Sequence, residues 1–149
     1  VDVEPEVMQN LSHHKNLWAM KEASGDISKF ESFRTAAPEV AIFSGDDALL
    51  PYFAQAGAKG LVSVAANAWP EQTAEFVRRA LLGTCPNLFQ TWTKSVNSLF
   101  AVANPIPVKV LMQQQGRLPL ADLRPPLTHL ELTDFSAIEQ ANSTILSWQ

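Results

Sequence analysis

A chain of 149 residues, 46% hydrophobic and with a formal net charge of −4, is one domain in length and globular in composition. Its 11 Lys and Arg against 15 Asp and Glu, with no basic cluster, leave no electrostatic footprint for nucleic acid. No apolar run approaches the roughly 18–20 residues that cross a bilayer, so a membrane-spanning helix is excluded on length.

The chain begins at Val1 with neither an initiator methionine nor a basic segment leading into an apolar core. No signal peptide is visible, and the sequence reads as a segment of something longer. One cysteine, Cys85, admits no internal disulfide and suits a reducing, cytoplasmic compartment. In its Thr84-Cys85-Pro86 setting, with no histidine near it in sequence, it reads as a structural thiol.

In chain order, Val7, Met8 and Leu11 have helical spacing behind Pro5, which is tolerated in a first turn. His13 and His14 follow as a solvated helix end, since adjacent histidines need further partners to hold a metal. Leu17 to Lys21 is too short an apolar run for a helix and reads as a buried strand, broken by Ser24-Gly25. Alternation places Leu17, Ala19 and Lys21 on one face, with Trp18, Met20 and Glu22 on the other. Covered on both faces, such a strand would hold Lys21 in a poorly solvated space, where a neutral amine can attack a carbonyl. The alternative is a strand-end lysine that reaches water.

Asp26 then opens a helix with an apolar stripe of Ile27, Phe30, Phe33 and Ala37, stopped by Pro38. A second strand, Val40 to Ser44, ends at Gly45-Asp46-Asp47 and leads into a helix carrying Leu49, Leu50, Phe53 and Ala54, closed by Gly57. A third strand is predicted over Gly60 to Ala65. It passes through Asn67 and Pro70 into a helix with Phe76, Val77, Ala80 and Leu81, capped by Gly83. Three strand–helix units in succession imply parallel strands and right-handed crossovers.

The remainder reads as helical. Leu88, Trp92, Val96, Leu99 and Ala103 form a stripe interrupted by Asn104-Pro105, and Val108, Leu111 and Met112 begin the next helix, ended at Gly116. Pro119 to Thr128 is an extended connection containing Pro125-Pro126, with His129 solvated beyond it. A last helix starts at Thr133 or Asp134 and carries Ile138, Ala141, Ile145 and Leu146.

Parallel α/β folds bind ligands at the carboxyl ends of their strands, and the polar candidates fall there: Lys21, Ser44 with Gly45, Asp46 and Asp47, and Ser63 with Asn67. Asp46 and Asp47 suit either a helix cap or hydrogen bonds to substrate groups near Lys21. Ser63 and Asn67 suit either plain turn roles or the same site. Two adjacent acids lack a nameable third metal ligand, so no metal site is expected. No phosphate-binding glycine loop, zinc spacing or nucleophile elbow is present.

Four stretches together carry a resemblance: Lys21-Glu22-Ala23-Ser24-Gly25-Asp26, Phe43-Ser44-Gly45-Asp46-Asp47, Gly60 through Asn67, and Asn104-Pro105-Ile106-Pro107-Val108-Lys109. In order and spacing they resemble the dihydrodipicolinate synthase and N-acetylneuraminate lyase family of class I pyruvate aldolases. The asparagine–proline block, with Leu127-Thr128 downstream, favours the dihydrodipicolinate synthase branch. The resemblance implies an α/β fold, the C-terminal part of a TIM barrel: about three parallel strands with helices over residues 1–85, then C-terminal helices over 86–149.

It further implies a lyase of lysine biosynthesis that condenses pyruvate with the aldehyde aspartate semialdehyde, with no cofactor beyond the covalent Schiff base. By position Lys21 is the Schiff-base lysine, and Gly45 and Val62 line the pyruvate pocket. Asp46, Asp47 and Ser63 shape that pocket or contact substrate. Expected partners are further copies of the chain, in a homo-oligomer, or a complementary N-terminal half. A TIM barrel takes about 250 residues. Strands one to five, with their threonine and tyrosine proton relay and carboxylate-binding arginine, have no counterpart here, and Tyr52, the only tyrosine, is not assumed to replace them. The chain alone is therefore expected to be inactive. The alternatives are another 2-keto acid aldolase of the family, or a non-catalytic half-barrel interaction module.

Overall fold

The computed structural model describes residues 2–148. Helix α1 (Pro5–Leu11) precedes strand β1 (Ala19–Glu22), helix α2 (Ile27–Ala36) and strand β2 (Ala41–Ser44). The two strands pair in parallel, Ala19 opposite Ala41 and Lys21 opposite Phe43. The crossover forms because Asp26 satisfies the first free amides of α2: its Oδ1 accepts from Ser28 N at 2.8 Å and Lys29 N at 3.3 Å. Phe30 and Phe33 are thereby aimed at the sheet, where they join Met8, Val40, Ile42, Phe53 and Ala58 in one apolar cluster. Ala37, expected in the stripe, is the residue that caps the helix and is still buried.

The predicted third strand is reduced to a single parallel bridge between Ser44 and Leu61. Val62 N donates to Ser44 O at 2.8 Å, continuing the ladder for one step. The chain then turns away, because the Asp47 carboxylate takes the hydroxyl of Ser63 and the amide of Val64 (2.9 Å) in place of a strand partner. A short unpredicted helix, α4 (Ala65–Ala68), follows. Helices α3 (Leu50–Gln55) and α5 (Pro70–Leu81) complete the layer.

Helices α6 (Phe89–Ser98), α7 (Ile106–Gln114) and α8 (Ser136–Leu146) pack on α4 and α5 through a second apolar cluster that includes Trp69, Phe76, Trp92, Leu99, Ile106, Leu111, Ile138 and Ile145. Phe76 stacks on Trp92 with ring centroids 4.2 Å apart and planes 14° apart. Helix α6 stops at Ser98, short of the predicted Ala103, because Leu99, Phe100 and Ala101 each bond back three residues into successive turns. Helix α8 starts at Ser136 instead of Thr133 or Asp134, and Asp134 accepts from Ser136 N at 2.9 Å from outside the helix. The Asn104–Pro105 and Pro125–Pro126 peptides are cis. No helix among the described residues is long and apolar enough to cross a membrane.

Candidate active site

Strand alternation puts Met20, Glu22, Ile42 and Ser44 under the helices, and Ala19, Lys21, Ala41 and Phe43 on the opposite face. On that opposite face Lys21 is exposed, while Ala19, Ala41 and Phe43 are half-buried. Of the two readings left open by the sequence, Lys21 is therefore the strand-end lysine reaching water and not the poorly solvated one: burial on both faces needs more strands than two and a bridge. Trp18, 72% exposed, meets Phe43 edge-on, with ring centroids 6.3 Å apart.

Lys21 lies against Gly45. A Cβ at Gly45 would overlap Lys21 Cε and come within 2.6 Å of Ala23 Cβ, so the bare backbone there is what makes room for the lysine stem. Gly45 is held in that place by its own amide, which donates to Glu22 O at 2.6 Å. Val62, 48% exposed, sits one residue past the bridge from Leu61 to Ser44.

The two acids part company. Asp46 caps the turn before α3, its Oδ1 accepting from Ala48 N at 3.0 Å and Leu49 N at 3.1 Å. Asp47 is 2% exposed, and each of its carboxylate oxygens is engaged within the chain, one by Ser63 Oγ–H and the other by Val64 N. Burial pushes its carboxyl above the usual range, against the lowering effect of those hydrogen bonds. Its backbone carbonyl accepts from Trp92 Nε1 at 2.7 Å, tying the β2–α3 loop to α6. Ser63 also accepts from Ala66 N at 2.9 Å, opening α4, while the exposed Asn67 donates from Nδ2 to Val64 O at 3.0 Å. The structure thus joins Lys21 with Gly45, and Asp47 with Ser63.

Tyr52 stands apart, half-exposed on α3 and edge-on to Phe89 at 5.3 Å. Cys85 is a free, buried thiol, raised above its usual range by burial. Among the described residues no group of three or more His, Cys, Asp or Glu is placed to hold a metal ion. Glu22 was not singled out by sequence reasoning: it is 4% exposed, on the side of the sheet covered by α2. The signal was available, since alternation places it beside Met20 on the helix face. A cavity of about 350 Å³ opens at this end of β1, lined in part by Lys21, Glu22, Ser24 and Lys29.

Parallel strands joined through a helix, with a lysine and the loop contacts gathered at their carboxyl ends, define an α/β protein whose candidate site lies in its strand-to-helix loops. The family model described as the Dihydrodipicolinate synthetase family matches residues 1–144, and the chain belongs to that family. Among curated relatives, it is 43% identical over 149 residues to the 4-hydroxy-tetrahydrodipicolinate synthase of Francisella tularensis subsp. novicida, covering 99% of this chain and 50% of that protein. To the enzyme of that name from Wolbachia pipientis subsp. Culex pipiens it is 37% identical, covering 100% and 50%.

Among solved structures, the 4-hydroxy-tetrahydrodipicolinate synthase of Methylacidiphilum fumariolicum SolV superposes with a TM-score of 0.83 at 33% identity, over 94% of this chain and 48% of that one. The lysine-bound enzyme of Cyanidioschyzon merolae gives 0.86 at 29% identity, over 99% and 51%. The chain spans about half the length of the curated relatives it matches.

Proposed function

We propose that this chain supplies the Schiff-base half of a 4-hydroxy-tetrahydrodipicolinate synthase, which joins pyruvate to aspartate semialdehyde. In this reading residues 1–85 are the last three strand–helix units of a TIM barrel, and 86–149 are helices packed on it. The unprotonated amine of Lys21 attacks the carbonyl carbon of pyruvate and water leaves, forming an imine. The protonated imine withdraws electrons from the methyl group, and loss of a methyl proton gives an enamine. The enamine carbon bonds to the aldehyde carbon of aspartate semialdehyde. The amino group of the semialdehyde then closes on the imine carbon and displaces Lys21. No metal or organic cofactor enters this sequence.

The observation that carries the reading is Lys21 laid over a bare Gly45 at the carboxyl end of β1, where a Cβ would collide with it. Gly45 and Val62 border the pyruvate position. Asp46, Asp47 and Ser63 shape it by holding the two loops in place. The proton relay and the remaining barrel strands come from a further segment, continuous with this one or separate, and the complete barrels assemble as a homo-oligomer. The free thiol of Cys85 supports a reducing, cytoplasmic setting.

A second reading, an interaction module without catalysis, is favoured by the edge of β1 that has no strand partner among the described residues, beside the exposed Trp18. Condensation assays decide between them. This chain alone should run at least about 100-fold slower than the chain mixed with the N-terminal half of the Francisella relative, because relay groups contribute about 10²–10⁴-fold each. A mixture that assembles without any condensation favours the interaction module. Turnover with sugar-acid aldehydes in place of aspartate semialdehyde assigns the chain to a different aldolase.

A further inference from the structure

Glu22 is a carboxylate sunk under the crossover helix at a position where a leucine would bury at no electrostatic cost. One oxygen, Oε1, accepts from Ser24 N at 2.7 Å. The other, Oε2, is buried and has no hydrogen-bond partner among the described residues. A group kept in so unfavourable a place, one residue after the candidate nucleophile, calls for a function.

The bond to Ser24 begins a series. Ser24 Oγ accepts from Asp26 N at 3.1 Å, and Asp26 Oδ1 accepts from Ser28 N at 2.8 Å. Three successive side chains therefore each take the amide two residues on, and lead the chain from the end of β1 into the first turn of α2. Glu22 is the member that anchors this series to the sheet. Its backbone carbonyl meanwhile holds Gly45 N at 2.6 Å, and Gly45 is the surface on which the Lys21 stem rests. The same residue thus fixes both the turn that follows Lys21 and the floor beneath it.

We propose that Glu22 is a positioning residue for Lys21: by accepting from Ser24 N it holds the strand-end turn that keeps the lysine against Gly45. This rests on the Schiff-base reading of Lys21. The acceptor matters here and the charge does not, so Glu22→Gln preserves the function and Glu22→Ala removes it.

The test follows reductive trapping of pyruvate by borohydride on the chain assembled with the N-terminal half of the Francisella relative, with rates measured across pyruvate concentration for wild type, E22Q, E22A and a K21A control. E22A should lower the limiting trapping rate at least about ten-fold, with little change in the pyruvate concentration giving half that rate, since small misplacements of a nucleophile reduce rate steeply. E22Q should stay within about two-fold of wild type. A purely structural role would not separate the two variants in this way while both retain the same tryptophan fluorescence. Amide hydrogen exchange at Ser24 reads the turn without any chemistry: slow in wild type and E22Q, fast in E22A. Wild-type trapping rates in E22A, equal losses in E22A and E22Q, or an unprotected Ser24 amide in the wild type each overturn the proposal. A wild type no more reactive than K21A overturns the Schiff-base reading instead, and exchange at Ser24 still decides whether Glu22 holds the turn.

Discussion

Replacing Gly45 with alanine lowers the rate at which pyruvate and borohydride trap Lys21 by about 100-fold. The new Cβ occupies the space of Lys21 Cε and presses on Ala23 Cβ, 2.6 Å away. The lysine can swing aside because its stem is flexible, and that removes the amine from its place beside the β2–α3 loop. Ala23 has no such freedom, so its backbone shifts, at about 1–3 kcal/mol for overpacking. The requirement at Gly45 is space and not backbone angle, since Gly25, Gly57, Gly83 and Gly116 are the glycines with positive φ. Adding Ala23→Gly to Gly45→Ala therefore recovers most of the stability and none of the reactivity. Thermal melting alongside the trapping assay checks both halves. A G45A chain that is trapped as fast as wild type would show that Lys21 does not depend on this contact.

The second large effect falls on stability. Asp47→Ala removes a buried acceptor and leaves the hydroxyl of Ser63 and the amide of Val64, both half-buried, without their partner. The cost is about 3 kcal/mol, a fall of roughly 10 °C in Tm for a chain of this size. The loops around β2 and α4 loosen together, and the tie from Trp92 to the Asp47 carbonyl weakens with them. Asp47 also has a pH signature. Its folded-state pKa is raised by burial, so the folded chain holds a proton that the unfolded chain has released once pH exceeds its ordinary value of 3.8. Stability from this group is full below that value and is lost as pH rises through the raised folded pKa. Asp47→Asn flattens that decline. Melting curves of wild type, D47A and D47N between pH 3 and 7 check the sign, and a wild type whose stability rises with pH through this group would contradict it.

Local patterns decided most of what the sequence made legible. The alternation of Ala19 to Glu22 and Ala41 to Ser44, with the helical stripe of Phe30 and Phe33 between them, is enough to place two parallel strands and a crossover. The cap at Asp26 needs only its own neighbours to be recognised, and Asp46 works in the same way. What failed was decided by distant groups. Val62 to Ala65 has strand composition but turns away, because an acid 16 residues upstream in the chain takes its hydrogen bonds. Lys21 lies at the end of its strand as expected, yet its exposure is set by how many strands flank it, and a two-stranded sheet with one bridge leaves its face open. Glu22 went unweighed because a charged residue following an apolar run reads as a strand end, whereas here the crossover helix lies over it.

Intact mass after incubation with pyruvate and borohydride, for the wild type and a Lys21→Ala variant, tests the Schiff-base assignment most directly. One reduced pyruvate adduct on the wild type, located at Lys21 by peptide mapping and missing from the variant, is the predicted result. An adduct of equal yield on both chains, or none on a folded wild type assembled with the complementary half, would contradict it.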